Sequence, residues 1–394
     1  MITAVCGQMS VPTANLGGSY PSALDTIQSL ARAREVVATF FNCLPCEVVF
    51  GANMTTLTGH VARSIGLTLS HGDNIVVSSL DHDANVTPWK LIGRDHGCDV
   101  RTVNFHREDC LLDLSSLSEL VDANTKLVAV GAAANSCGSI TDIRKVVEIV
   151  KKASDCQALV YVDAVHFAPH HCIDVVKLDC DFLVCSSYKF CGPHAGLMYG
   201  RKTVMERLTP YKLSACTNLL PSALSSQSSR WETGTASFEA IAGIKAAVEY
   251  IASLGVRAGK SGVQTDLRTR IETAYDVINE HEIKISRMFL SGAKSITGLT
   301  VHGVTSFLME GLASRRTPTF CVSMLRMSAG ELAQQLAARG VAAGAGHFYA
   351  LQFPERMNLV EAGGFTRIGF FHYNTLGEVQ RVLAVLTEIS SMLN

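Results

Sequence analysis

The sequence predicts an α/β fold, with a large domain built on a mostly parallel sheet and a smaller C-terminal α+β domain behind it. Three observations lead there. From about residue 25 to 250, short apolar runs alternate with amphipathic stretches, the pattern of strands joined by crossover helices. At 394 residues the chain is longer than one hydrophobic core usually serves. Past residue 250 the order changes to two long helical patterns, then strand-like pieces mixed with shorter helices.

Taken in order, helical patterns over Thr26 to Phe41 and Thr56 to Leu69 precede the first expected strand, Asn74 to Ser78. Val100 to Phe105 and Leu127 to Ala132 read as the next two strands, and Ile143 to Ala153 repeats its apolar residues at helical spacing. Leu159 to Val162, Phe182 to Cys185 and Gly196 to Tyr199 complete the expected sheet. Pro210 to Arg230 is rich in Ser, Leu and Pro without a period and reads as a long connector. Phe238 to Leu254, Val263 to Glu280, Ala329 to Arg339 and Leu376 to Leu393 are the remaining helical patterns. We therefore expect a large domain over 16–250 and a small one over 251–394, with residues 1–15 packed near the functional site.

Composition narrows the class. Hydrophobic residues make up 47% and charged residues 18%, yet no unbroken apolar run approaches the roughly 20 residues that span a bilayer. With a formal net charge of -1 and no basic run, the chain lacks the stripe that a nucleic-acid backbone requires, so neither membrane nor nucleic acid is an expected partner. Thirteen cysteines, an odd number scattered through apolar segments behind no cleavable leader pattern, point to reduced thiols and a cytoplasmic setting. Cys43 and Cys46 form an isolated CxxC, and no metal site is expected there. His166, His170 and His171 have ligand-like spacing, but Pro169 and the strand-like Ile173 to Val176 argue against one helix presenting them.

Two strand ends carry the chemistry. In "CSSYKFCGPHAG", residues 185 to 196, an apolar strand delivers Lys189 among hydroxyl and small residues. In "LVYVDAVHFAPHH", residues 159 to 171, Asp163 ends another apolar strand, an unfavourable place for a carboxylate unless a cation or strong donor meets it. Ligands of wound sheets sit at the carboxyl ends of the strands. A lysine and an acid there suit pyridoxal 5'-phosphate (PLP): the lysine for a Schiff base, the acid to keep the pyridine nitrogen protonated.

These segments, with "FGANMTTLT" at 50, "SLDHDANVTPW" at 79, "AANSCGSITD" at 133, "WETGT" at 231 and "TRIGFFHYNT" at 366, resemble the class V aminotransferase superfamily of fold-type I PLP enzymes. Within it they are most similar to the cysteine desulfurase-like branch, and the likeness covers nearly the whole chain. The resemblance implies a fold-type I transferase architecture, a small amino acid substrate and a homodimer with shared active sites. It implies His82 stacked on the cofactor face, with Lys189, His82 and Asp163 as the catalytic residues. Asn135 and His166 would bond the phenolic oxygen, His166 standing where the family usually has glutamine. Met54, Thr55, Ser186 and Tyr188 would form the phosphate cup, Tyr188 replacing a common histidine, and Thr235 would reach the neighbouring subunit's cofactor. Arg367 would clamp the substrate carboxylate.

One departure bears on the reaction. Cysteine desulfurases carry a mobile cysteine where this chain reads "GAGHFYALQ", residues 344 to 352, with Tyr349 at the cysteine position. A phenol stores no sulfane sulfur, so the persulfide route is not expected without another thiol. The implied activity is a PLP-dependent, cysteine desulfurase-like lyase or transferase cleaving a Cβ–S or Cβ–Se bond, with Tyr349 a substrate contact. The alternatives are a class V aminotransferase, an epimerase, or a non-catalytic scaffold on the same fold. Relatives tend to carry more residues before the first matching segment, and any such piece would bear on the substrate channel more than on the cofactor pocket.

Overall fold

A computed structural model of the chain describes residues 1–155, 157–214, 219–220, 230–306 and 315–393, so most of the expected connector at 210–230 lies outside the described residues. The larger sheet is built from β1 (Val48–Gly51), β2 (Asn74–Ser78), β3 (Asp99–Val103), β4 (Thr125–Gly131), β5 (Leu159–Asp163), β6 (Phe182–Ser186) and β7 (Gly196–Gly200). Their spatial order is β1-β7-β6-β5-β4-β2-β3. From β3 to β6 all neighbours run parallel, while β7 is antiparallel to both β6 and β1.

Period-two side-chain alternation explains why the central strands read as continuous apolar runs. In β5, Val160 and Val162 enter the core on one face, whereas Leu159 and Tyr161 enter the core on the other. Helices α1 (Ile2–Met9), α2 (Pro21–Phe41), α3 (Met54–Gly66), α4 (Thr87–His96), α5 (Leu114–Leu120), α6 (Ile143–Ala153), α7 (Val175–Leu178), α8 (Lys202–Arg207) and α9 (Phe238–Arg257) accompany this sheet. α2, α6 and α9 bury their apolar faces in the first core; α3, α4 and α8 do so in the second. α1 lies along α9, with Val5 near Gly243 and Pro193.

α10 (Leu267–Ala293) carries the chain out of this layer. Behind it come β8 (Leu299–His302), β9 (Thr319–Met324), α11 (Ala329–Ala338), β10 (Gly344–Gly346), α12 (Gln352–Arg356), β11 (Phe365–Gly369) and α13 (Leu376–Ser391). The four strands form an antiparallel sheet in the order β10-β11-β9-β8. Ile271, Ala274, Tyr275 and Ile278 of α10 belong to the large-sheet core, while Ile285, Phe289, Leu290 and Ala293 belong to the core of the small sheet. By packing, the change of core therefore falls inside α10, later than a division at 250/251.

Several elements differ from the sequence expectation for identifiable reasons. α10 runs on past Glu280 because its apolar face changes partner, with a polar stretch, Asn279 to Glu282, at the changeover. Ile173 to Val176 is not a strand: Asp174 accepts from the Lys177 amide and caps the short helix α7. β1 escaped notice because it is four residues long, and α4 because its apolar content is low. All described cysteines are free thiols, and among the described residues no helix is long and apolar enough to cross a membrane.

Candidate active site

Strand register assembles the site. Gly131 pairs with Asp163, and Asp163 with Val184, so the carboxyl ends of β4, β5 and β6 lie side by side. A cavity of about 760 Å³ opens over them. Met54, Thr55, His82, Asn135, Asp163, His166, Ser186, Tyr188, Lys189, Tyr349 and Arg367 all line it. Thr235 does not; it is exposed on the segment after Trp231.

Each wall has a local cause. Asn53 caps α3 through its side chain, which accepts from the Thr56 amide, and the Met54 amide donates to Ser186 Oγ at 3.0 Å. Position 196 must be glycine, because a Cβ there would lie 2.6 Å from the Asn53 carbonyl carbon. The first turn of α3 is thereby held against the Ser186 to Lys189 turn. Lys189 Nζ sits 5.0 Å from the centre of the Tyr188 ring, which stacks on His194.

Asp163 is 8% exposed, and burial pushes its carboxyl up to about 6, against the hydrogen bond from the Val165 amide and the nearby Lys189. Desolvation also draws the Lys189 pKa down, helped by Arg367 and opposed by Asp163. His82 Nδ1 accepts from the Ala84 amide at 3.0 Å, which puts the proton of the neutral ring on Nε2. Burial lowers the His82 pKa as well. His166, lowered much further by burial, bonds Thr317 Oγ1 through Nε2.

The four-stranded sheet and its loops close the far side. Arg367, on β11, donates from Nη1 to the Asn135 carbonyl at 2.8 Å, and its guanidinium lies 4.0 Å from the centre of the Phe348 ring. Asn135 Nδ2 donates to the Phe348 carbonyl, while Asn135 Oδ1 is buried without a partner. Phe348 and Tyr349 both have left-handed backbone, φ 50° and 60°. The Asp83 amide holds this turn by donating to the Tyr349 carbonyl at 2.7 Å. The Tyr349 ring lies 5.3 Å from His82, outside it, and is mostly exposed.

Asp81, His170 and Cys191 also line the cavity; of these the sequence singles out His170 alone, and only for its spacing to His166 and His171. Asp81 bore the signal that marked Asp163, a carboxylate just past an apolar strand. Burial raises its pKa to about 7, and Asp163 pushes in the same direction, while the Asn85 side chain donates to it at 2.7 Å. Cys191 is a thiol at the cavity wall, but burial raises its pKa and so disfavours the thiolate.

The donor set fits a phosphorylated pyridine aldehyde. A helix N-terminus with the Ser186 and Tyr188 hydroxyls suits the phosphate. The Asp163 carboxylate suits a ring cation, Lys189 suits an aldehyde, and the orphaned Asn135 Oδ1 lacks only a donor. The volume falls in the range typical of small-molecule and cofactor sites, roughly 300–1,000 Å³.

Comparison with known proteins bears on the family and the fold. The model of the aminotransferase class-V family matches residues 13–272. A cysteine desulfurase of Enterobacter sp. (strain 638) is 29% identical over 384 residues, covering 95% of this chain and 86% of that protein. One from Dickeya dadantii (strain 3937) is 27% identical over 373 residues, covering 93% and 82%. Among solved structures, the apo cysteine desulfurase from Thermococcus onnurineus NA1 superposes with a TM-score of 0.84 at 22% identity, covering 99% of this chain and 91% of that one. The S-sulfonic acid form of an Escherichia coli cysteine desulfurase gives 0.79 at 21% identity, covering 100% and 91%.

Proposed function

Because the chain belongs to the class-V aminotransferase family, whose model matches more than half of it, we propose that the cavity binds PLP and acts on a small amino acid as a cysteine desulfurase-like enzyme. The observation that carries this reading is the convergence of Lys189, Asp163, His82 and Arg367 on one cavity. When bound, PLP supplies an aldehyde carbon for the lysine amine and a ring that takes up the electron pair left at the substrate Cα.

The chain's own residues do the rest. Met54, Thr55, Ser186 and Tyr188 would hold the phosphate, and Asp163 would hold the ring-nitrogen proton. Asn135 and His166 would face the phenolic oxygen. Arg367 grips the α-carboxylate with its planar fork. Lys189 Nζ, whose lowered pKa favours the free amine, would take the Cα proton, and His82 Nε2, which bears the ring proton, would be placed to donate one. The Cβ–S or Cβ–Se bond would then break by elimination, the pair left at Cα forming the Cα–Cβ double bond while sulfide or selenide leaves with the pair of the broken bond.

Tyr349 stores no sulfur, and Cys191 is held as a thiol, so we place sulfur release outside a persulfide on residue 349. Thr235, exposed and off the cavity of its own chain, supports a homodimer in which it serves the partner's site. We place the protein in the cytoplasm, where its free thiols stay reduced. Incubating the PLP-loaded protein with a panel of amino acids while following pyruvate, alanine, ammonia and sulfide tests the reading. We expect sulfide, or its selenium counterpart, with pyruvate and ammonia, and a visible absorbance band that Lys189→Ala removes. A protein that stays colourless after PLP addition refutes it.

A further inference from the structure

His170 and Glu282 form a buried pair, 3% and 4% exposed, that the reaction above leaves unused. Nδ1 of His170 lies 3.0 Å from both carboxylate oxygens of Glu282. With Nδ1 so held, the ring is fixed in the cavity wall, edge-on to His166 at 5.5 Å and to Phe371 at 5.6 Å. Glu282 stands on α10 between Ile278, in the large-sheet core, and Ile285, in the small-sheet core. Its neighbour His281 bonds the Asn374 carbonyl through Nε2 at 2.7 Å. Asn374 Oδ1 in turn accepts from the Phe371 amide, closing the turn that follows the strand bearing Arg367.

One turn of α10 thus contacts both walls of the cavity at the seam between the two cores. We propose that Glu282 is a positioning residue: it fixes His170 in one wall and, with His281, the 370–374 turn in the other, and so sets where Arg367 meets the substrate carboxylate. This rests on the reading above of an amino acid held by Arg367. A hydrogen bond to a carboxyl group away from water is costly to break on one side, because the partner left behind stays buried and unpaired. Removing Glu282 frees the wall and, through His170, reaches the cofactor pocket only at His166, since Asp163, Ser186 and the start of α3 are anchored elsewhere.

The test uses PLP-loaded wild type, Glu282→Ala, Glu282→Gln and His170→Ala. L-Alanine is titrated in and read from the change in the visible band, and L-cysteine turnover is measured alongside. We expect all four proteins to keep the band. Glu282→Ala and His170→Ala should raise the L-alanine Kd and the KM at least fivefold with kcat within about threefold. Glu282→Gln, which still offers Nδ1–H an oxygen, should stay within about twofold of wild type. The double alanine variant should be no worse than either single one. Wild-type L-alanine affinity in Glu282→Ala overturns the proposal. If Glu282→Ala does not yield folded protein, His170→Ala decides by the same reading. A wild type whose band ignores L-alanine overturns the amino-acid reading and this proposal together, whereas a responsive wild type with an equally responsive His170→Ala overturns this proposal alone.

Discussion

Asp163→Asn should make the cofactor-free protein more stable while weakening its grip on PLP. The carboxyl of Asp163 has a pKa near 6 in the fold against an ordinary 3.8. At about 1.36 kcal/mol per unit, that difference is a destabilisation of about 3 kcal/mol when the group is charged in both states. The sign follows from proton binding: between the two values the folded chain holds more protons than the unfolded one, so stability falls as pH rises through this window. The penalty is absent below about 4 and complete above about 7. Asparagine removes the charge and can still accept from the Val165 amide. Unfolding entropy of about 2 cal/mol/K per residue makes the effect about 3–4 °C in Tm for a chain of this length unfolding as a whole. Calorimetry of apoprotein at pH 4 and pH 8 is the assay. The variant should gain those degrees at pH 8, match wild type at pH 4, and bind PLP at least tenfold more weakly because the ring cation loses its partner. Equal apoprotein Tm values at pH 8, or wild-type PLP affinity, would refute the claim that this carboxylate is held in the fold at a loss and repaid by the cofactor.

Arg367→Lys should raise the KM for an amino acid ten- to a hundredfold, about 1.4–2.7 kcal/mol, because one ammonium cannot reproduce the two-pronged grip; an unchanged KM in steady-state assays would remove the carboxylate clamp. Arg34 is 2% exposed and makes paired bonds to Glu232 of 3.0 and 2.9 Å. Glu232→Ala should therefore lower stability by about 3 kcal/mol, read from the urea midpoint, since the guanidinium is left buried with its charge unmet. Tyr349→Cys should restore a thiol at the cavity mouth and, after L-cysteine, carry one extra sulfur atom by intact-mass measurement; a thiol that gains none would show that this turn keeps residue 349 out of reach of the substrate. Because Tyr349 has φ 60°, Tyr349→Gly should stabilise the chain slightly, by up to about 1 kcal/mol, in the same urea experiment.

Much of this was legible in the chain. Strands buried on both faces advertise themselves as unbroken apolar runs, which is why β5 and β6 and the polar residues at their ends could be found by eye. Lys189 and Asp163 stood out because charge at the end of such a run demands a partner. What stayed hidden depends on contacts distant in sequence. Nothing near Glu282 says that it meets His170, 112 positions earlier, and nothing near Asn135 says that its amide serves the carbonyl of Phe348, 213 positions later. α10 was cut short because helical periodicity read along one face cannot anticipate that the face trades one apolar surface for another midway. Asp81 carries the same signal as Asp163, a carboxylate following an apolar strand.

The shared helix Leu267–Ala293 also dictates a schedule for biosynthesis. Ile271, Tyr275 and Ile278 are sealing pieces of the first interior, yet they are encoded after every strand of its sheet. While the ribosome is still translating the region before them, the emerging polypeptide has an oily surface on α9 and α2 that nothing yet covers. Such a nascent chain has reason to be sheltered by chaperones until Leu267–Ala293 has been made.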